Sequence, residues 1–149
     1  MAIMLFVACG GDETNVGPTP DLFASDTVKN PPKDFKGSVV AKRHRFARLN
    51  PVALKRLASV GGRVRLNLFD DLAVIAVFTG SKTGITQSRS HAGQLEGDSK
   101  SSVTLTFTKE VMVGAVIIGD GRQFQISHID TGRYAIFEIA PPTGILKGN

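Results

Sequence analysis

The sequence predicts a mainly β domain, an antiparallel sandwich or strongly curved sheet of about eight strands with one short helix. Three observations lead there. Short apolar runs recur from Ser38 onward, turn residues separate them at regular spacing, and helical spacing shows only once. The length of 149 residues suits one domain, and 42% hydrophobic against 21% charged residues is a globular balance.

The elements follow in order. Val39 to Leu49 is an arginine-rich strand. Asn50 offers an N-cap and Pro51 a first helical residue; Val52, Leu54, Leu57 and Ala58 then supply an apolar stripe that Gly61-Gly62 ends. Arg63 to Phe69 alternates, with Val64, Leu66 and Leu68 on one face and Arg63, Arg65 and Asn67 on the other. Across Asp70-Asp71 it joins Leu72 to Phe78, apolar on both sides as a strand covered on both faces would be. A Gly/Ser/Thr-rich passage spans Gly80 to Ser90. Ala92 to Gly97 and Ser102 to Thr108 then flank a turn, with Val103, Leu105 and Phe107 facing in. Val111 to Ile118 suits a central strand, and Gly119-Asp120-Gly121 is a tight hairpin turn, because Asp-Gly accepts positive φ. Phe124, Ile126 and His128 share a face, Asp130-Thr131-Gly132 turns into Tyr134 to Ile139, and Pro141-Pro142 ends the last strand.

The N-terminal third is organised differently. Residues 10 to 36 contain Gly17-Pro18-Thr19-Pro20 and Asn30-Pro31-Pro32 with no sustained period, which predicts an extended tether over residues 9 to 36. Before it, the apolar run Ala2 to Ala8 leads to Cys9 and Gly10-Gly11. That order resembles a bacterial lipobox, in which the Cys thiol receives a lipid. The resemblance implies a truncated lipoprotein-signal-like segment at residues 1 to 8 that starts upstream of Met1, and lipid attachment at Cys9. It also implies a chain anchored to a bacterial membrane at the cell envelope, or secreted. The alternative is an apolar N-terminus with a free or buried thiol.

The formal charge is +5, and its excess is local: Lys42, Arg43, Arg45, Arg48, Lys55, Arg56, Arg63 and Arg65 occur with no acidic residue between Ser38 and Phe69. Lys42, Arg43, Arg45 and Arg48 are candidate contacts for a polyanion or an anionic membrane surface; the alternative is a solvated strand face. Nucleic acid is not expected, since Phe46 is the one aromatic among them.

Catalytic chemistry finds little to build on. His44, His91 and His128 are isolated and Cys9 is the one cysteine, so no zinc site follows from local spacing, and neither a metal, a catalytic residue nor a cofactor is expected. His128 could be a zinc ligand offered to a partner, or a hydrogen-bonded histidine at a strand end. Ser90, His91 and Asp98 contain the residue types of a triad but no G-x-S-x-G elbow, and Gly119-Asp120-Gly121 lacks the oxygen ligands of a calcium loop.

Several segments, taken in order, carry a broader likeness. Leu66-Asn-Leu-Phe-Asp-Asp71 is followed by His91, Gly93, Gly97, Ser102, Val103 and Leu105, then Val113-Gly114-Ala115-Val116, then Gln123-Phe124-Gln125-Ile126. This order resembles the propeptide of reprolysin- or adamalysin-type zinc metalloproteases. It implies that residues 37 to 149 form a non-catalytic folding aid and inhibitor whose partner is a zinc metalloprotease catalytic domain, in the same precursor or encoded nearby. No H-E-x-x-H stretch is present, and Cys9 lies ahead of the tether, so any inhibition would not use a cysteine switch. The alternatives are a free-standing lipoprotein binding module and a polyanion-binding β domain.

Overall fold

The computed structural model describes residues 17–25, 35, 41–57, 61–109 and 111–141. Among these, nine strands form a single antiparallel sheet that curls almost into a barrel. The strands are β1 (Phe23–Ser25), β2 (Ala41–Leu49), β3 (Arg63–Phe69), β4 (Leu72–Thr83), β5 (Arg89–Leu95), β6 (Asp98–Thr108), β7 (Val111–Ile117), β8 (Gln123–Asp130) and β9 (Arg133–Ile139). One helix, α1 (Pro51–Leu57), joins β2 to β3. From β3 to β9 the chain is an up-and-down meander, and β2 pairs with β9, giving the order β1-β2-β9-β8-β7-β6-β5-β4-β3. The expected strongly curved sheet is therefore observed, with curvature carried close to closure.

Alternation dictates the interior. Val64, Leu66 and Leu68 of β3, Val103 and Leu105 of β6, Phe124 and Ile126 of β8, and Tyr134 and Ile136 of β9 all point into the barrel, each at most 2% exposed. Glycine admits the closest approaches. A Cβ at Gly93 would run into the Val77 carbonyl where β4 bulges between Phe78 and Gly80, and one at Gly114 would meet Leu105 Cδ2 at 2.6 Å.

Nine alternating strands leave the two edge strands parallel, so closure cannot extend the antiparallel ladder. The chain ahead of β1 solves this with a short parallel bridge: Leu22 N donates to Arg65 O at 2.8 Å and Arg65 N to Pro20 O at 2.9 Å. Farther along, the Asn67 side chain takes the place of a ladder rung. Its Oδ1 accepts from Phe23 N at 3.0 Å and its Nδ2 donates to Phe23 O at 2.8 Å.

Four expectations are corrected. The tether over 9 to 36 gives way between Pro20 and Ser25, where Leu22 and Phe23 enter the core at 0% and 2% exposure, and at Phe35, whose ring stacks 6.1 Å from Phe137 outside the barrel. A three-residue strand and one aromatic are too short to produce a periodicity. Second, the helix buries Ala53 and Leu57 while Val52 stays 61% exposed, so its stripe is rotated from the expected one; Ala58 lies outside the described residues. Third, the passage Gly80 to Ser90 is not all loop: β4 runs to Thr83, pairing Gly80 to Thr83 with Ala92 to Arg89. Fourth, β4 is not covered on both faces: Ile75 and Val77 stand opposite Arg65 and Arg63, whose aliphatic stems shelter them. β7 is the central strand expected, fifth of nine in the sheet, with Val111, Val113 and Ile117 facing outward and exposed.

Candidate functional site

Each end of the barrel is finished differently. At the end where β2 begins and β9 finishes, β1 no longer reaches, because it pairs only with Ala47 to Leu49. The seam between β2 and β3 is held there by side chains. Arg45 Nη2 donates to Asn67 O at 2.5 Å, and Arg43 donates through Nε to Glu138 Oε2 at 2.5 Å and through Nη1 to Asp71 Oδ1 at 2.7 Å. The Arg43 guanidinium also lies 4.0 Å from the Phe69 ring centroid. Glu138 is buried at 4% exposure, and its charge is met by Arg43 and, at 3.8 Å, by Lys42 Nζ. The hydrogen bond to Asp71, then that to Glu138, holds Arg43 above its ordinary pKa, and Arg43 in turn holds the Asp71 carboxyl below its usual range. Burial pushes Arg45 the other way.

The basic cluster is thus divided. Arg43 and Arg45 clasp the seam and Lys42, the extra residue where β2 bulges, also reaches Glu138, whereas Arg48 is exposed on the other face of β2. Alternation from Arg43 onward puts Arg48 on the face away from Arg43 and Arg45, so the four cations do not present one face.

The other end is covered by α1. Asn50 caps it as expected, its Oδ1 accepting from Val52 N at 3.0 Å. The helix lays Leu54 and Leu57 across the barrel mouth, and the β4–β5 hairpin extends past the rim beside it. Between them is a cavity of about 380 Å³ lined by Leu54, Leu57, Gln87, Arg89, His91, Phe107 and Lys109. Register explains the gathering: on the inner face Arg89 pairs with Phe107 and His91 with Leu105, so the start of β5 and the end of β6 share one wall. His91 is 6% exposed, with edge-on contacts to Phe78 and Phe107 at 6.3 and 5.8 Å. Burial first, and the charge of Arg89 second, lower its pKa, so its ring is neutral at neutral pH.

The remaining candidates stay apart. His44 packs outside the barrel with Phe35 and Phe46, and His128 packs against Tyr134. Ser90 bonds to Thr106 at 2.8 Å, and Asp98 accepts from Gly119 N at 2.7 Å at the opposite end from His91, so the three triad residue types do not meet. Among the described residues no three His, Cys, Asp or Glu side chains group as a metal site would need, and no helix is long and apolar enough to cross a membrane. Cys9 and its lipobox-like surroundings lie outside the described residues.

Sequence reasoning singled out His91 but missed Gln87, Arg89 and Lys109 as its companions. Their one shared signal is position at hairpin ends on the same side of the sheet, which has meaning only once the pairing of β5 with β6 is known. No family model matches the chain, and neither a curated protein nor a solved structure is significantly similar to it.

Proposed function

We propose that the chain is a non-catalytic β-barrel binding module, held at the bacterial cell envelope through Cys9, that takes a small ligand beneath α1. The observation that carries this reading is the cavity of about 380 Å³ at the helix-covered end of the barrel. Small-ligand sites commonly fall between about 300 and 1,000 Å³, at barrel mouths, with mostly apolar walls and a few polar groups. Leu54, Leu57 and Phe107 supply the apolar part; Gln87, Arg89, His91 and Lys109 supply the rest.

The test is titration of the full chain with 8-anilinonaphthalene-1-sulfonate, alongside a Leu54→Trp variant whose indole occupies the cavity. Saturable binding by the folded wild type and its loss in a variant that melts at the same temperature is the expected result. Equal binding by both places the probe elsewhere and removes the reading.

A second reading is the metalloprotease propeptide. It draws on the ordered motifs from Leu66 to Ile126, and one surface favours it: the outer face of β7 exposes Val111, Val113 and Ile117 at 37, 48 and 39%, as a protein partner would require. Against it, Gly93 and Gly114 among the motif residues are already accounted for by close packing within the barrel. It requires an H-E-x-x-H stretch encoded downstream or nearby and slow, saturable inhibition of that zinc protease by this chain.

A further inference from the structure

We infer that the ligand of the cavity beneath α1 is an amphipathic anion, a short acyl chain or single ring ending in a carboxylate or sulfonate. The inference rests on the binding-module reading and adds the ligand's charge to it.

Charge pairing across the molecule supports the choice. Arg43, Arg63, Arg65, Arg122 and Arg133 each stand within 3.2 Å of a carboxylate oxygen. Among the described residues Arg45, Lys55, Arg56, Lys82, Lys100, Arg89 and Lys109 stand outside this set, and of these only Arg89 and Lys109 share the cavity. Among the described residues no Asp or Glu lines it with them, and neither has an ion-pair partner. Arg89 at the start of β5 and Lys109 in the turn after β6 therefore share one opening lined also by Leu54, Leu57 and Phe107. An apolar body would displace water from that apolar lining, while an anionic head would reach the lip and receive charge-assisted hydrogen bonds, the stronger kind. Gln87 adds a neutral donor there. A cationic ligand would meet two like charges, and a neutral one would leave both without an anion.

Displacement of 8-anilinonaphthalene-1-sulfonate from the full chain by octanoate and by 1-octanol, both below their aggregation concentrations, separates charge from apolarity. Octanol is the more apolar, so binding by burial alone ranks it first. The expected result is octanoate stronger by about tenfold, close to 1.4 kcal/mol, with the preference lost in the Arg89→Gln/Lys109→Gln double variant. If that variant does not fold, Lys109→Gln alone, at an exposed position, reduces the preference. Octanol equal to or stronger than octanoate in the wild type overturns the anion inference and leaves the binding module standing. An unchanged preference in a folded variant overturns it as well. No binding of the probe or either competitor overturns the binding module and the inference together.

Discussion

Asn67 shows how much one side chain can settle. In the sequence it sits on the polar face of an alternating strand, indistinguishable from Arg63 or Arg65. In the barrel its amide supplies both a donor and an acceptor to Phe23, at the place where two parallel edges leave backbone groups without a ladder. Asn67→Ala removes both bonds from a nearly buried backbone, and a loss of about 2–4 kcal/mol in urea unfolding is expected; a loss below about 0.5 kcal/mol would mean the seam does not depend on it. Arg43 and Arg45 belong to the same lesson. Composition reveals their charge but not that strand alternation turns them toward Glu138, Asp71 and Asn67. His91 carries a pH signature. Its folded-state pKa lies below the unfolded value of about 6.5, so the unfolded chain binds the proton first as pH falls. Stability is then unaffected well above pH 6.5 and declines as pH drops through 6.5 toward the lowered folded value, at no more than about 1.4 kcal/mol per pH unit. Chemical denaturation at pH 7.5 and 5.5 should show a larger loss for wild type than for His91→Gln; equal losses would place His91 in a solvated environment.

At the scale of elements, most strands are legible because their alternation is regular and their turns carry glycine. Val64, Leu66 and Leu68 face inward as expected, as do Val103 and Leu105, and Gly121 takes φ 95° in the hairpin after β7. The helix is legible in its limits but not in its orientation. Seven residues contain two turns, so Val52 and Ala53 are nearly equivalent as members of an apolar stripe, and the choice is made by the barrel mouth below. Leu57→Ala should therefore cost about 2–5 kcal/mol, and Val52→Ala less than about 0.5 kcal/mol, in thermal or urea unfolding. Similar costs for both would rotate the helix from the position described. The apolar content of β7 fits the central place in the sheet that it predicts. A nearly closed sheet has one inside, however, and Val111, Val113 and Ile117 are left outside.

The whole molecule is where sequence reasoning reaches least far. Nothing local in Pro20 to Ser25 marks it as the closing piece, because its partners in β2 and β3 are distant in sequence and its strand is three residues long. The cavity has the same origin: α1, the β4–β5 hairpin and the end of β6 become neighbours only when the sheet curls. The seam end and the helix end then differ in kind, one satisfied by carboxylate pairs, the other lined by two cations with no carboxylate beside them among the described residues. Two-dimensional amide NMR of the full chain during an octanoate titration tests this division most directly. The expected result is saturable shift changes confined to Leu54, Leu57, Gln87, Arg89, His91, Phe107, Lys109 and their sequence neighbours, with Arg43, Asn67, Asp71 and Glu138 unmoved. Changes centred on the seam end or on the outer face of β7, or none at concentrations that displace the fluorescent probe, would contradict a binding site beneath α1.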